Sequence, residues 1–350
     1  MRARNCAWAV LFPLVLLAAC RTVHAPDSAV RPSRAAWMQQ ARWGIMTHYL
    51  ADWRARADNE PMSVEHWNEL VDNFDVDGLA GQIQSTGAGY HLISIGQNSG
   101  YYLAPNATYD KLVGNNPSKC SRRDLISDLA AALHKRGIRL MVYLPSGAPG
   151  GDAKAVKALE HQRGPNRNRE FQLKWEAVIR DWSTRWGTNV CGWWFDGCYW
   201  PNAMYRDPAP PNFTSFAAAA RAGNPDSIVA FNPGVVDRAL SISPDEDYTA
   251  GEINDLDRAM IRRANNGIID GCQVHFLSFL GQRWGMGEPR FSTEQAIAHT
   301  HQVVDMQGVI TWDTPVQKNG LISQPFLDQL RAIGKSVAAA APQQKASNSE

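Results

Sequence analysis

The sequence predicts a single (β/α)8 barrel. Eight short β-rich runs alternate with amphipathic helical patterns along its 350 residues. No GxGxxG follows any run, which disfavours the alternative, a doubly wound open sheet. A chain of this length can bury a large core, and α/β barrels of this size are commonly one domain. The formal net charge of +1 supplies no strong field to draw nucleic acid or an acidic partner.

The first residues read as an address. "MRARN" carries two arginines, and "CAWAVLFPLVLLAA" is an apolar run broken by Pro13, short for a membrane span, so residues 1–19 are expected to be a signal peptide. The run ends in "LAAC", Leu17 to Cys20, which resembles a bacterial lipobox. That resemblance implies export, acylation of Cys20, and contact with a membrane through the lipid alone, in the periplasm or at the outer membrane. Arg21 stands where an aspartate would argue for inner-membrane retention, which favours the outer membrane. One acyl chain binds a bilayer only marginally, so stable anchoring needs several. Cys20→Ser is expected to shift the protein from the membrane fraction to the soluble fraction; unchanged partitioning would overturn the reading.

Residues 20–36 are polar with Pro and Ala and read as a tether, residues 37–337 as the barrel, and "AAAAPQQKASNSE" from Ala338 as a disordered tail. The strand runs are "WGIMTHY" (43–49), "YHLISIG" (90–96), "IRLMVYLP" (138–145), "VCGWWFDG" (190–197), "SIVAFNPG" (227–234), "DYTAGEIN" (247–254), "CQVHFLSFL" (272–280) and "GVITWDTP" (308–315). Helical periodicity fills most gaps. Leu125, Leu129 and Leu133 share one face and stop at Gly137; Phe171, Trp175, Val178, Trp182 and Trp186 share another and stop at Gly187. "STEQAIAHTHQVVDMQ" opens on a Ser/Thr start, and "SQPFLDQLRAIGKSV" closes the barrel. The helical signal is weakest between the fifth and seventh strands.

Without Cys6 and a lipidated Cys20, four cysteines remain: Cys120, Cys191, Cys198 and Cys272. There is no CxxC and no Cys/His cluster at zinc spacing, so no metal is expected. Export permits a disulfide. Cys191 and Cys198 bracket an extended run spanning roughly 23 Å, too far to pair with each other, and other pairings stay open.

In such a barrel the chemistry sits at the C-terminal ends of the strands. The candidates there are His48, Gln97 with Asn98, Tyr143, Trp194 with Asp196, Asn232, Glu252, His275 and Asp313. "CGWWFDGCYW" sets Asp196 among aromatic residues, where a carboxylate is costly unless it is paired or used. An aspartate capping a turn and a tryptophan filling a core are the ordinary roles. Two carboxylates at the ends of the fourth and sixth runs instead match the machinery of glycoside hydrolysis. Asp245, Glu246 and Glu288 are the reserve candidates for the second carboxylate.

These residues also carry a resemblance. From about residue 37 to 337 the chain resembles glycoside hydrolase family 29, the α-L-fucosidases. "ARWGIMTHYL" is similar to the family's opening strand, "GAGYHLISIGQNSGYY" to its "GAKY…KHHDGF" segment, and "WWFDG" to its "WFDG". "DYTAGEIN" resembles the segment of the acid/base glutamate, and "RWGMG" with "GVITWDTPVQKNGLISQPFLDQLRAIGK" the closing elements. The resemblance implies Asp196 as nucleophile, Glu252 as acid/base, His48 on the sugar and Tyr143 beside the nucleophile. Trp194 would lie under a sugar face, and Glu65 vaguely matches a sugar-binding glutamate but reads as surface. Gln97 and Asn98 replace the family's paired histidines, Asn232-Pro233-Gly234 stands where "NDR" is expected, and nothing resembles the usual C-terminal β-sandwich. The expected function is an exo-acting, retaining, fucosidase-like hydrolase that needs no cofactor and takes an oligosaccharide or glycoconjugate. The alternatives are a catalytically degenerate carbohydrate-binding lipoprotein and a glycosidase for another sugar.

Overall fold

Seven parallel strands carry the molecule: β1 (Trp43–Thr47), β2 (Tyr90–Ser94), β3 (Arg139–Pro145), β4 (Gly192–Asp196), β5 (Ile228–Phe231), β6 (His275–Phe279) and β7 (Val309–Thr314). The computed structural model describes residues 33–201, 205–256 and 266–340. The strands pair in the order β5-β4-β3-β2-β1-β7-β6. Period-two alternation divides the core into two layers. Met46, Leu92, Tyr143, Trp194, Ala230 and Leu277 form the inner cluster. Ile45, Val142, Trp193, Phe195, Phe231 and Phe276 belong to the outer cluster, under the helices.

The expected barrel is present, with one correction. The sixth run forms no regular strand. Its residues lie between β5 and β6 and bond to both: Asp247 N–H donates to the Val229 carbonyl, and Thr249 and Ile253 N–H donate to Gln273 and Leu277. On the β5 side two carboxylates stand in for backbone carbonyls, Asp247 accepting from Val229 N–H and Glu246 from Phe231 N–H. Gly251 breaks the run, with φ of 61°, and a Cβ there would lie 1.9 Å from the His275 carbonyl oxygen. Only glycine fits that turn.

Helices cover the outside. Residues Arg169–Trp186 bury Phe171, Trp175, Val178, Trp182 and Trp186, the face read from the sequence. Leu125–His134 starts on an Asp124 cap and Thr293–Val304 on a Ser292/Gln295 capping box. Between β5 and β6 the described residues hold no α-helix, and a two-stranded hairpin (Ile268–Ile269 with Cys272–Gln273) occupies part of that connection. Met38, on the short helix Ala36–Ala41, joins the inner cluster, so ordered structure begins inside the expected tether. The last helix, Gln324–Ala339, likewise passes the expected boundary by two residues. The signal segment, Cys20 and residues 341–350 lie outside the described residues.

Cys120, Cys191, Cys198 and Cys272 are all buried free thiols. His275 needs a second correction. It opens β6 rather than closing it, and its ring is spent on the Thr249 carbonyl and the Thr311 hydroxyl. Burial lowers its pKa to about 4, so it is a neutral core histidine.

Candidate active site

A pocket of about 190 Å³ opens at the C-terminal mouth of the barrel, lined by Met46, His48, Trp53, Gln97, Tyr143, Trp194, Asp196, Glu252, Leu277 and Trp284. It has the volume of one sugar ring, not of a chain. Asp196 reaches it because it follows Gly192 and Trp194 at period two on β4, with Phe195 facing the outer core. The floor is aromatic: Tyr143 and Trp194 pair across β3 and β4 and stack at 5.3 Å. Trp194 is fixed by its Nε1–H, which donates to the Ala250 carbonyl at 2.9 Å.

Asp196 is paired on both oxygens. The Tyr143 hydroxyl donates to Oδ2 at 2.6 Å, and Asn232 Nδ2 donates to Oδ1 at 2.9 Å. Charge-assisted bonds of this kind contribute about 1.5–3 kcal/mol each, enough to hold a carboxylate in an aromatic setting. Gln97 Nε2 donates to the Tyr143 oxygen at 2.7 Å, and Asn98 Nδ2 to Gln97 Oε1 at 3.3 Å. Burial and the nearby Asp196 hold the Tyr143 phenol well above its usual pKa, so it stays a donor. Asn98 is exposed at the rim, whereas Gln97 lines the pocket.

Asn232 joins the two carboxylates. Its Nδ2 also donates to Glu252 Oε2 at 2.6 Å, while its Oδ1 accepts from Gly234 N–H. Two oxygens held at 2.9 and 2.6 Å from one nitrogen are no further apart than the sum, about 5.5 Å. Burial first, then the charge of Asp196, raises the Glu252 carboxyl to about 7, against the opposing Asn232 bond. A carboxyl of that pKa both gives and takes a proton near neutrality.

This raised pKa predicts a stability effect. Between the unfolded value near 4.5 and the folded value of about 7, the native protein keeps a proton that the unfolded chain has lost. Stability from this group therefore falls as pH rises through that window. Glu252→Gln is expected to exceed the parent in stability above pH 7, by up to about 3 kcal/mol, and to match it near pH 4. Urea unfolding at the two pH values measures the difference, and an equal gain at both would refute it.

His48 sits across the pocket, buried, with Nδ1 2.8 Å from Asp313 Oδ1. The carboxylate accepts from Nδ1–H and leaves Nε2 as the ring nitrogen open to a ligand. Asp313 is itself buried, and its other oxygen accepts from Gly285 N–H. Gly285 has φ of 58°, and a Cβ there would lie 2.4 Å from the Trp53 ring and 3.2 Å from His48. The absence of a side chain lets the Trp284 loop close onto His48 and Trp53.

The pocket thus gathers His48, Gln97, Tyr143, Trp194, Asp196 and Glu252, with Asn232 bonded behind both carboxylates. It does not gather the reserve candidates. Glu246, raised by burial to about 7, accepts from Phe231, Ile242 and Ser243 N–H and the Ser241 hydroxyl, so it braces a loop. Asp245 accepts from Thr214, and Glu288 and Glu65 are exposed. Trp53, Trp284, Met46 and Leu277 were not anticipated; only "RWGMG" carried a signal, for Trp284. Among the described residues no group of three His, Cys, Asp or Glu could hold a metal ion.

A family model described as alpha-L-fucosidase matches residues 63–341. No curated protein matches the chain. Among solved structures, the endo-fucoidan hydrolase MfFcnA4 from glycoside hydrolase family 107 superposes with a TM-score of 0.68 at 21% identity, over 87% of this chain and 53% of its own. Alpha-L-fucosidase isoenzyme 1 from Paenibacillus thiaminolyticus gives 0.60 at 18% identity, covering 88% and 76%. A family 29 alpha-L-fucosidase from Bacteroides thetaiotaomicron gives 0.55 at 17%, covering 87% and 73%. The chain spans about half the length of the first of these, and at such identities the likeness is one of fold.

Proposed function

Because the chain belongs to the α-L-fucosidase family, we propose that it is a fucose-acting glycoside hydrolase that removes a terminal sugar by a retaining displacement. The observation that carries this reading is the Asn232 amide shared by Asp196 and Glu252. The upper limit it sets on their nearest oxygens, about 5.5 Å, suits the roughly 5–5.5 Å of retaining enzymes and not the 6.5–9.5 Å that inversion needs for an intervening water.

In the first step Asp196 attacks the anomeric carbon and forms a glycosyl ester, while Glu252 gives its proton to the departing oxygen as that bond breaks. Esterification removes the Asp196 charge, one of the causes that raise Glu252. Its carboxyl therefore becomes more acidic at the stage where it must act as a base. Glu252 then takes a proton from water, the water oxygen attacks the anomeric carbon, and the ester bond breaks to restore Asp196. The aromatic floor suits the apolar face of a sugar, and the one-ring pocket suits a chain end. Gln97, tied to Tyr143, keeps a polar group in the pocket wall without titrating. The complete set of hydrogen bonds around both carboxylates weighs against a degenerate binding protein.

The mature domain is to be assayed against aryl glycosides, aryl α-L-fucoside included, with the first-formed anomer read by NMR. Turnover with retention, and kcat/KM that declines above about pH 7 as Glu252 ionises, is expected. Inverted product would refute the displacement, and binding without turnover of any glycoside would favour the carbohydrate-binding alternative.

A further inference from the structure

Glu252 sits where the barrel wall is least regular, and the backbone just past it is held by side chains. Ile253 N–H donates to the Leu277 carbonyl at 2.9 Å. The next two carbonyls meet other partners: that of Ile253 accepts from the Ser278 hydroxyl at 2.8 Å, and that of Asn254 from Arg290 Nη1 at 2.9 Å. Arg290 closes the circuit. Its Nη2 donates to the Ser278 hydroxyl at 3.0 Å and its Nε to the Phe279 carbonyl at 2.8 Å. One guanidinium thus ties the stretch after Glu252 to the C-terminal end of β6.

The guanidinium is itself wedged in place. It lies 3.6 Å from the centroid of the Phe279 ring and 4.4 Å from that of Phe291. Burial lowers its pKa to about 10, against the pull of Asp255, so it stays a cation near neutrality. Backbone bonds anchor it too, Arg290 N–H donating to the Leu280 carbonyl and Leu280 N–H to that of Asp313. Phe279 in turn packs on Trp284 at 4.7 Å, and Trp284 lines the pocket. A planar fork reaches acceptors in several directions at once, which the point charge of a lysine cannot do. The placement matters because a shift of about 1 Å in a reacting group can cost 10²-fold in rate.

We propose that Arg290 is a positioning residue: by bracing residues 253–254 against β6 it holds the Glu252 carboxyl beside Asp196. The assignment rests on the glycosidase reading for what Glu252 does, not for where it is held. Its test compares the parent with Arg290→Lys, which keeps the charge but not the fork, and with Ser278→Ala, which removes only the hydroxyl link. Circular dichroism first checks the fold, and Ser278→Ala carries the test if Arg290→Lys does not fold. On a glycan with a sugar leaving group, kcat is expected to fall about 10- to 100-fold with KM little changed. With an activated aryl α-L-fucoside the burst of aryl release is expected to stay near the parent rate, because that departure needs no proton. A general loosening of the barrel would slow both alike. That result, or parent rates in both variants, overturns the assignment. Carbon-13 NMR of the Glu252 carboxyl reads its placement without turnover. Its pKa of about 7 is expected to fall toward the ordinary 4.5 in Arg290→Lys as water reaches the group. Since lysine keeps the charge, such a shift reports position. A titration unmoved in both variants sinks the brace even in an active enzyme. A shifted one in a protein that cleaves no glycoside sustains the brace and sinks the enzyme reading instead.

Discussion

Asp196→Ala is expected to abolish turnover of every glycoside, a loss of roughly 10⁵-fold or more. The reason lies in what surrounds the residue. Tyr143 is a phenol held well above its usual pKa, and Asn232 is an amide, so neither neighbour offers a replacement nucleophile. Glu252, on the other side of the shared Asn232 amide, is the group proposed to handle the leaving oxygen. The variant also leaves two donors facing an empty position, so its fold is to be checked by circular dichroism before the rates are read. Measurable activity near the parent level in a folded Asp196→Ala protein would end the proposed mechanism.

Glu252→Ala is expected to act in a substrate-dependent way. General acid assistance is worth about 10²–10⁴-fold, and a poor leaving group such as a sugar hydroxyl needs all of it. An activated aryl group departs without a proton, so its first step is expected to change little. The ester then accumulates, because no base remains to activate water. Azide, small and anionic where the carboxylate was, is expected to attack the ester and restore turnover of the aryl substrate. Parent-like activity on a natural glycan, with Glu288→Ala dead instead, would remove Glu252 from its role. The exposed position of Glu288 and the loop-bracing bonds of Glu246 already argue for Glu252.

Much of this was readable in the residues. A barrel strand alternates inward and outward, so "GWWFD" alone places Trp194 and Asp196 together in the mouth and Trp193 and Phe195 in the outer core. The helix from Arg169 to Trp186 was equally plain because five apolar residues recur at helical spacing. The regularity of the sixth run was not readable. "DYTAGEIN" has strand composition, and the bend at Gly251 follows from the approach of the His275 carbonyl, a contact between distant parts of the chain. The place of His275 is hidden for a related reason: the seventh run has the composition of one strand, yet its first residues belong to a hairpin. Only its position marks Asp313 in the sequence, since its pairing with His48 spans 265 residues and leaves no local pattern. Trp53 stands on the helix Ala51–Asp58, whose sequence gives no apolar stripe to mark it.

The irregular closure between β5 and β6 has a consequence for how the protein fails. Asp196, the proposed nucleophile, is on a strand laddered to both neighbours, but Glu252, the proposed acid/base, sits on the seam of the cylinder, partly stitched by the side chains of Glu246 and Asp247. Amide protons of residues 247–253 are therefore expected to exchange with deuterium well before those of β4. On heating, this seam is expected to open first. Inactivation would then precede the loss of the barrel, and the temperature at which half the activity is gone would lie below the calorimetric midpoint.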